Sequence, residues 1–191
     1  MLKLEPNRYY HIYNRGNSKE KLFYTTDNYR YFLNRFRKHC THIFETYAYC
    51  LMGNHFHMVV SVRDIEEQEK LFIESDLRSK KLRSPSKHLA HFFSSYTQSI
   101  NKQENRTGSL FQKNFKRKEI DSEEYFRQMV VYSHINPIKH GFSKSLTDYP
   151  FSSYQIYLNS EETFIQRERT LELFGGRKNF ITAHENVIAR F

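Results

Sequence analysis

The stretch from Phe44 to Val62, FETYAYCLMGNHFHMVVSV, limits the fold more than any other part of the chain. Two runs rich in aromatic and β-branched residues flank a Gly53-Asn54 pair, the pattern of two antiparallel strands joined by a tight turn. The remaining elements have to pack around that hairpin. Upstream, residues 8–14 (RYYHIYN) alternate weakly and read as a strand ending at Arg15-Gly16-Asn17. Between the two, Thr26 or Asp27 can cap a helix in which Tyr31, Phe32, Phe36 and Cys40 fall near helical spacing.

Downstream, residues 63–87 are acidic from Asp64 to Asp76 and then carry Arg78, Lys80, Lys81, Arg83 and Lys87, the composition of a partly helical, mobile connection that ends at Pro85. Leu89, Phe92, Phe93, Tyr96 and Ile100 then recur with helical period from Lys87 to about Lys102. A Thr107-Gly108 turn and a short strand around Lys116–Ile120 follow. Asp121 or Ser122 can cap a last helix with Glu123 and Glu124 in its first turn, expected to run to about Ile135 before Pro137 and Gly141 close it. This order suits an α+β fold, a ferredoxin-like βαββαβ antiparallel sheet with an additional C-terminal helix. Residues 1–145 are expected to form the domain and 146–191 a C-terminal extension packed on it, with the fold of 158–191 unassigned.

The chain has 191 residues, of which 38% are hydrophobic, 16% aromatic and 27% charged. That is too aromatic for a disordered chain and too polar for a membrane protein. No apolar run approaches the roughly 20 residues that cross a bilayer, and MLKLEPNRYYHIYNRG lacks a signal-peptide pattern, so a cytoplasmic location is expected. Cys40 and Cys50 have no ligand spacing and read as reduced, buried thiols. A net charge of +9 points to an anionic partner, with nucleic acid the first candidate. The basic residues concentrate in Lys102, Arg106, Lys113, Lys116, Arg117 and Lys118, with Phe111 and Phe115 among them. Cations that neutralise phosphates beside aromatics that stack on bases suit a single strand, though both phenylalanines could equally pack beneath a solvated loop. Arg15 in the N-terminal NRGN segment and Lys139 beside His140 are further candidates for contact with nucleic acid.

In the second strand of the hairpin, His55 and His57 are two residues apart and so share a face, while Phe56 and Met58 point the other way. Two such imidazoles can hold a cation together, or they can be surface or hydrogen-bonded strand histidines. As ligands they would not close a structural zinc site, which takes four protein ligands. An incomplete set suits a catalytic Mg²⁺ or Mn²⁺ that keeps positions for water and a phosphate oxygen. On the last helix, Tyr125, Met129, Tyr132 and Asn136 lie along one stripe. Tyr132 could pack or could offer its phenol to a phosphate, and Asn136 could end the helix or could supply an oxygen to the cation. Tyr96, the competing phenol, sits among Phe92, Phe93 and Ile100 and reads as a core or base-stacking residue, whereas His91, His134 and His140 read as solvated or nucleic-acid-facing.

Five segments together carry a resemblance to a known family: HIYNRGN, MGNHFHMVV, RTGSLFQKNFK, YFRQMVVYSHINPIKHGF and DYPFSSYQIY, in order over residues 9 to 157. In this combination the chain resembles the single-tyrosine HUH transposases, IS200-like proteins, and among them the REP-associated tyrosine transposases. The resemblance implies a metal-dependent endonuclease and strand-transferase that cuts single-stranded DNA beside hairpins. It makes Tyr132 the nucleophile, His55 and His57 ligands of Mg²⁺ or Mn²⁺, and Asn136 their third partner, although some relatives carry Gln or another polar residue there. The outcome it implies is a 5′-phosphotyrosine bond and a free 3′-OH, from a monomer or a homodimer. A non-cleaving hairpin DNA- or RNA-binding protein on the same fold is the alternative.

Overall fold

A computed structural model describes residues 2–74 and 82–190. The hairpin forms as the sequence predicts, with β2 (Phe44–Met52) and β3 (His55–Val62) pairing Met52 opposite His55. β1 (Tyr9–Arg15) lies antiparallel to β3, and β4 (Lys116–Ile120) pairs with the other side of β1, giving the order β2-β3-β1-β4. This is the four-stranded antiparallel sheet expected of the βαββαβ pattern, and it makes β3 and β1 the two central strands.

Strand alternation divides the side chains between two layers. On one face Ile12, Phe56, Met58 and Val60 are buried together with Phe32 and Phe36 of α1 (Thr26–Cys40) and Leu89, Phe92 and Tyr96 of α3 (Pro85–Gln103). Phe32 meets Phe92 edge to face at 4.8 Å between ring centroids and Tyr96 at 5.1 Å. The Tyr96 hydroxyl donates to the Leu22 carbonyl at 2.8 Å, so the rival phenol is a fully buried core residue. On the other face lies α4 (Glu123–Lys139), which packs against β2 and β3.

Several boundaries differ from expectation. The cap of α1 is Thr25, one residue earlier than predicted: the Asn28 side chain accepts from the Tyr24 and Thr25 amides at 2.9 and 3.1 Å, fixing the first turn there. The acidic half of the connection after β3 is a helix, α2 (Ile65–Glu74), while Asp76, Arg78, Lys80 and Lys81 lie outside the described residues. α4 does not stop at Ile135 but continues through Pro137 to Lys139. Proline removes one amide donor, yet the next turn closes regardless, with the His140 amide on the Asn136 carbonyl at 3.0 Å and that of Phe142 on Pro137 at 2.8 Å. Gly141, with φ +72°, then ends the helix as predicted.

The tail returns to the sheet. Leu51 donates to the Phe151 carbonyl at 2.9 Å, and a short 3₁₀ turn (Ser153–Tyr157) leads to α5 (Arg167–Leu173) and α6 (Arg177–Ile188). Here the reading of His134 as solvated is corrected: it is buried among Tyr154, Tyr157 and Phe180. Its two ring nitrogens meet His184 Nε2 at 2.9 Å and Ser153 Oγ at 2.8 Å. The tail covers the α4 surface that a solvated His134 would have needed, and it supplies both hydrogen-bond partners. No helix among the described residues is long and apolar enough to cross a membrane.

Candidate active site

A cleft of 360 Å³ opens where the C-terminal end of β1, the start of β3 and the last turns of α4 meet. His55 and His57 enter it from β3, Tyr13 and Arg15 from β1, Lys116 from β4, and Tyr132 and His140 from α4 and its cap. The register explains the grouping. Arg15 lies opposite His55, Tyr13 lies between His57 and Lys116, and directly opposed residues share a face. Among the described residues no carboxylate lines the cleft, so the charged side chains there are cations. Such a site favours an anion, and a phosphate is the anion that suits a basic groove.

The turn that precedes the histidines is tied to two distant segments. The Gly53 carbonyl accepts from the Leu22 and Phe23 amides at 2.8 and 3.2 Å, and the Asn54 carbonyl accepts from Gly16 at 2.8 Å. Gly16 has no room for a side chain, because a Cβ there would stand 2.0 Å from the Glu20 carbonyl oxygen. The rim is completed by residues 110–112, where Gln112 donates to the Arg15 carbonyl at 2.9 Å and the Asn14 side chain to that of Gln112 at 3.2 Å.

Both motif histidines have one ring nitrogen engaged. His55 Nδ1 lies 2.7 Å from Asn54 Oδ1, and His57 Nδ1 lies 2.9 Å from His11 Nε2. Burial lowers the pKa of His55 to about 4 and that of His57 to about 2, with neighbouring histidines adding to the effect and Arg15 contributing at His55. Both rings are therefore neutral at neutral pH, the state in which imidazole can ligate a cation. The half-buried His55 ring meets the buried His57 ring edge to face at 5.4 Å. Tyr132 stands edge-on to His57 at 5.4 Å and to His11 at 5.9 Å, with Lys139 Nζ 5.8 Å from its ring centre.

Asn136 is fully buried one turn beyond Tyr132 and does not line the cleft. Its Nδ2 donates to the Tyr132 carbonyl at 2.6 Å, while Oδ1 is a buried acceptor without a hydrogen-bond partner among the described residues. Among those residues no three His, Cys, Asp or Glu side chains converge as a ligand set. His140 is exposed beside His55, at 5.5 Å between rings, as a nucleic-acid-facing group would be, and His91 is exposed on α3.

The basic residues separate into distinct groups. Arg15 and Lys116 face the cleft; Lys113 and Arg117 line a neighbouring groove of 610 Å³ that shares Asn14 and Gln112 with it. Arg117 also bonds Ser86 Oγ at 2.7 Å and covers the Phe115 ring at 4.2 Å, and exposed Lys118 covers Tyr125 at 4.8 Å. Lys102 is exposed on the last turn of α3. Arg106 is instead ion-paired with Glu20 and bonded to Asn101 Oδ1 at 2.6 Å. Phe111 is not an exposed stacking platform: it is 6% exposed and packs on Phe93 at 4.9 Å and Tyr96 at 6.1 Å. Leu110 and Phe111 anchor that loop, and Lys113, Lys116 and Lys118 remain exposed.

His11, Tyr13, Asn14 and Gln112 escaped the sequence reading. Alternation along RYYHIYN places His11 and Tyr13 on one face, but only the β1–β3 register brings them beside His57.

No family model matches the chain. It is 25% identical over 139 residues, 72% of its length and 75% of the relative's, to a Haemophilus influenzae protein provisionally named a REP-associated tyrosine transposase. A solved structure, that of a REP-associated tyrosine transposase bound to a REP hairpin, superposes with a TM-score of 0.59 at 19% identity, covering 83% of this chain and 82% of that one. In sequence and in fold the chain is similar to the REP-associated tyrosine transposases.

Proposed function

We propose that the protein is a metal-dependent single-stranded DNA endonuclease and strand-transferase that cleaves beside hairpins through Tyr132. The observation that carries this reading is one cleft holding a phenol edge-on to His57, a second imidazole with its Nδ1 engaged, and cations without carboxylates. The donor set fits Mg²⁺ or Mn²⁺. With Nδ1 of each histidine occupied, the Nε2 atoms are the ones left to bind; Asn136 Oδ1 is an unpartnered hard oxygen of the kind such ions take, but it is buried outside the cleft and would have to turn into it to join them. When bound, the ion polarises the scissile phosphate and offsets charge that develops in the transition state.

The chain's own residues do the rest. Arg15 and Lys116 hold the DNA phosphates at the mouth of the cleft, and Tyr13 between them offers an exposed ring for a base. Tyr132 Oη releases its proton to solvent and attacks phosphorus, the bond from phosphorus to the 3′ oxygen breaks, and that oxygen takes up a proton, leaving a 5′-phosphotyrosine and a free 3′-OH. A phenol is a weak nucleophile that needs a nearby cation or base to activate it, and Lys139 Nζ stands 5.8 Å from the Tyr132 ring centre. Because the ester link to Tyr132 retains the phosphodiester's energy, a 3′-OH can later rejoin the strand without ATP. The hairpin as partner is taken from the relative, whose structure holds a REP hairpin.

The test incubates the protein with labelled single-stranded hairpin DNA and Mg²⁺ or Mn²⁺ and looks for a covalent adduct on a denaturing gel. The adduct should form with either ion, disappear with EDTA and be absent in Tyr132→Phe. An adduct that persists in Tyr132→Phe would overturn the nucleophile, and hairpin binding with no adduct under any metal would make the protein a non-cleaving binder.

A further inference from the structure

We propose that His11 is a positioning residue that selects the tautomer of His57 and thereby sets the cation affinity of the site, an inference that rests on the reading of His55 and His57 as ligands. The two imidazoles are buried on adjacent strands, their rings nearly parallel with centroids 5.1 Å apart, and His11 Nε2 stands 2.9 Å from His57 Nδ1. One hydrogen bond joins the two imidazoles, so a single proton lies between these nitrogens.

That proton has two places. If it sits on His57 Nδ1, His11 Nε2 accepts and the lone pair of His57 is on Nε2, available to a cation. If it sits on His11 Nε2, His57 Nδ1 accepts, its own proton is on Nε2, and His57 cannot ligate. His11 Nδ1 has no hydrogen-bond partner among the described residues, so nothing else in them fixes the choice. His55 differs, since Asn54 Oδ1 only accepts, which holds the His55 proton on Nδ1. One ligand is thus fixed by an amide oxygen, and the other is set by a partner that can turn either way. Binding at His57 Nε2 draws the pair into the competent arrangement, and a neutral acceptor beyond the ligand orients it and raises its basicity.

Residue 11 then acts through its acceptor character rather than its size. His11→Phe keeps a flat ring and removes the acceptor; His11→Gln restores one at about the reach of Nε2; His11→Glu accepts only and locks His57 in the ligating form. Mn²⁺ affinity, measured by the loss of the free Mn²⁺ signal in electron paramagnetic resonance, is expected to fall about 10–100-fold in His11→Phe. It should stay within a few-fold of the parent in His11→Gln and rise in His11→Glu. Long-range ¹H–¹⁵N spectra of the Mg²⁺-loaded protein, which need no DNA, should show His57 protonated at Nδ1 in the parent and in His11→Glu. His57→Ala is measured alongside. If it binds Mn²⁺ as the parent does, the cation site itself falls, and the role of His11 with it. If His57→Ala loses binding while folded His11→Phe keeps it, or if His11→Gln and His11→Phe are equally weak, only the role of His11 is overturned.

Discussion

At Gly16 the conflict is steric and not torsional. Its φ is −62°, open to any residue, but a Cβ would stand 2.0 Å from the Glu20 carbonyl oxygen and 2.9 Å from its carbon. The backbone must move, and the Gly16 amide is the one that holds the Asn54 carbonyl next to His55. Gly16→Ala is therefore expected to cost about 1–3 kcal/mol, read as a lower urea midpoint, and to weaken Mn²⁺ binding in the fraction that stays folded. The neighbouring turn residue, Gly53, has open space around it. Gly53→Ala should be far milder, and a loss equal to that at Gly16 would contradict the steric account.

Among the elements, α4 carries both Tyr132 and a buried polar chain on its opposite side. His184 Nδ1 donates to the Phe180 carbonyl at 2.7 Å, which leaves Nε2 to accept from His134 Nδ1, and His134 Nε2 then accepts from Ser153 Oγ. Ser153 Oγ also lies 3.3 Å from the Tyr49 carbonyl, and it is burial that keeps both rings neutral. Burial lowers the His184 pKa from 6.5 to about 4 and holds that of His134 well below its ordinary value, with His184 adding to the effect there. The unfolded chain takes up these protons first, so stability is complete above about pH 6.5 and falls as pH drops toward 4. The slope contributed by each histidine is about 1.4 kcal/mol per pH unit. Urea midpoints at pH 7.5 and pH 5 measure it, and the difference should shrink in His184→Gln. Ser153→Ala removes the last donor and should cost about 1–3 kcal/mol.

These same elements show where sequence is informative. β2 and β3 follow from their aromatic and β-branched content and the turn between them, and α1 and α3 from helical period, because each of the two helices buries one face in the core. Pro137 misleads, since the loss of one amide is a local signal that packing and later hydrogen bonds override. His134 misleads because its partners, Ser153 and His184, lie 19 and 50 residues away in a tail with no strong period. His11 is invisible for a related reason: its neighbour is set by register between strands 46 residues apart.

For the whole molecule, a charge of +9 is less informative than its distribution. Arg15 and Lys116 face a cleft without carboxylates, whereas Arg106 is held by Glu20 and Asn101. Anisotropy titrations of a labelled hairpin at several KCl concentrations should separate the two kinds of cation. Lys116→Ala should lower the slope of log affinity against log salt by about 0.7–1, the share of one phosphate contact. Arg106→Ala should leave the slope unchanged and lower the unfolding midpoint, because its ion pair joins the residue 17–20 segment to the loop after α3.

The pairing of β3 with β1 and β2 also gives the cleft a parity. Phe56 and Met58 fill the core beneath α1 and α3 while His55 and His57 face α4, and only odd and even positions distinguish the two sets. Insertion or loss of one residue at the hairpin turn would not shift the histidines slightly; it would present phenylalanine and methionine to the cleft and drive two imidazoles into the aromatic core. The spacing of this turn is thus inherited as a whole number, and a lineage could vary almost any loop of the protein more freely than this one.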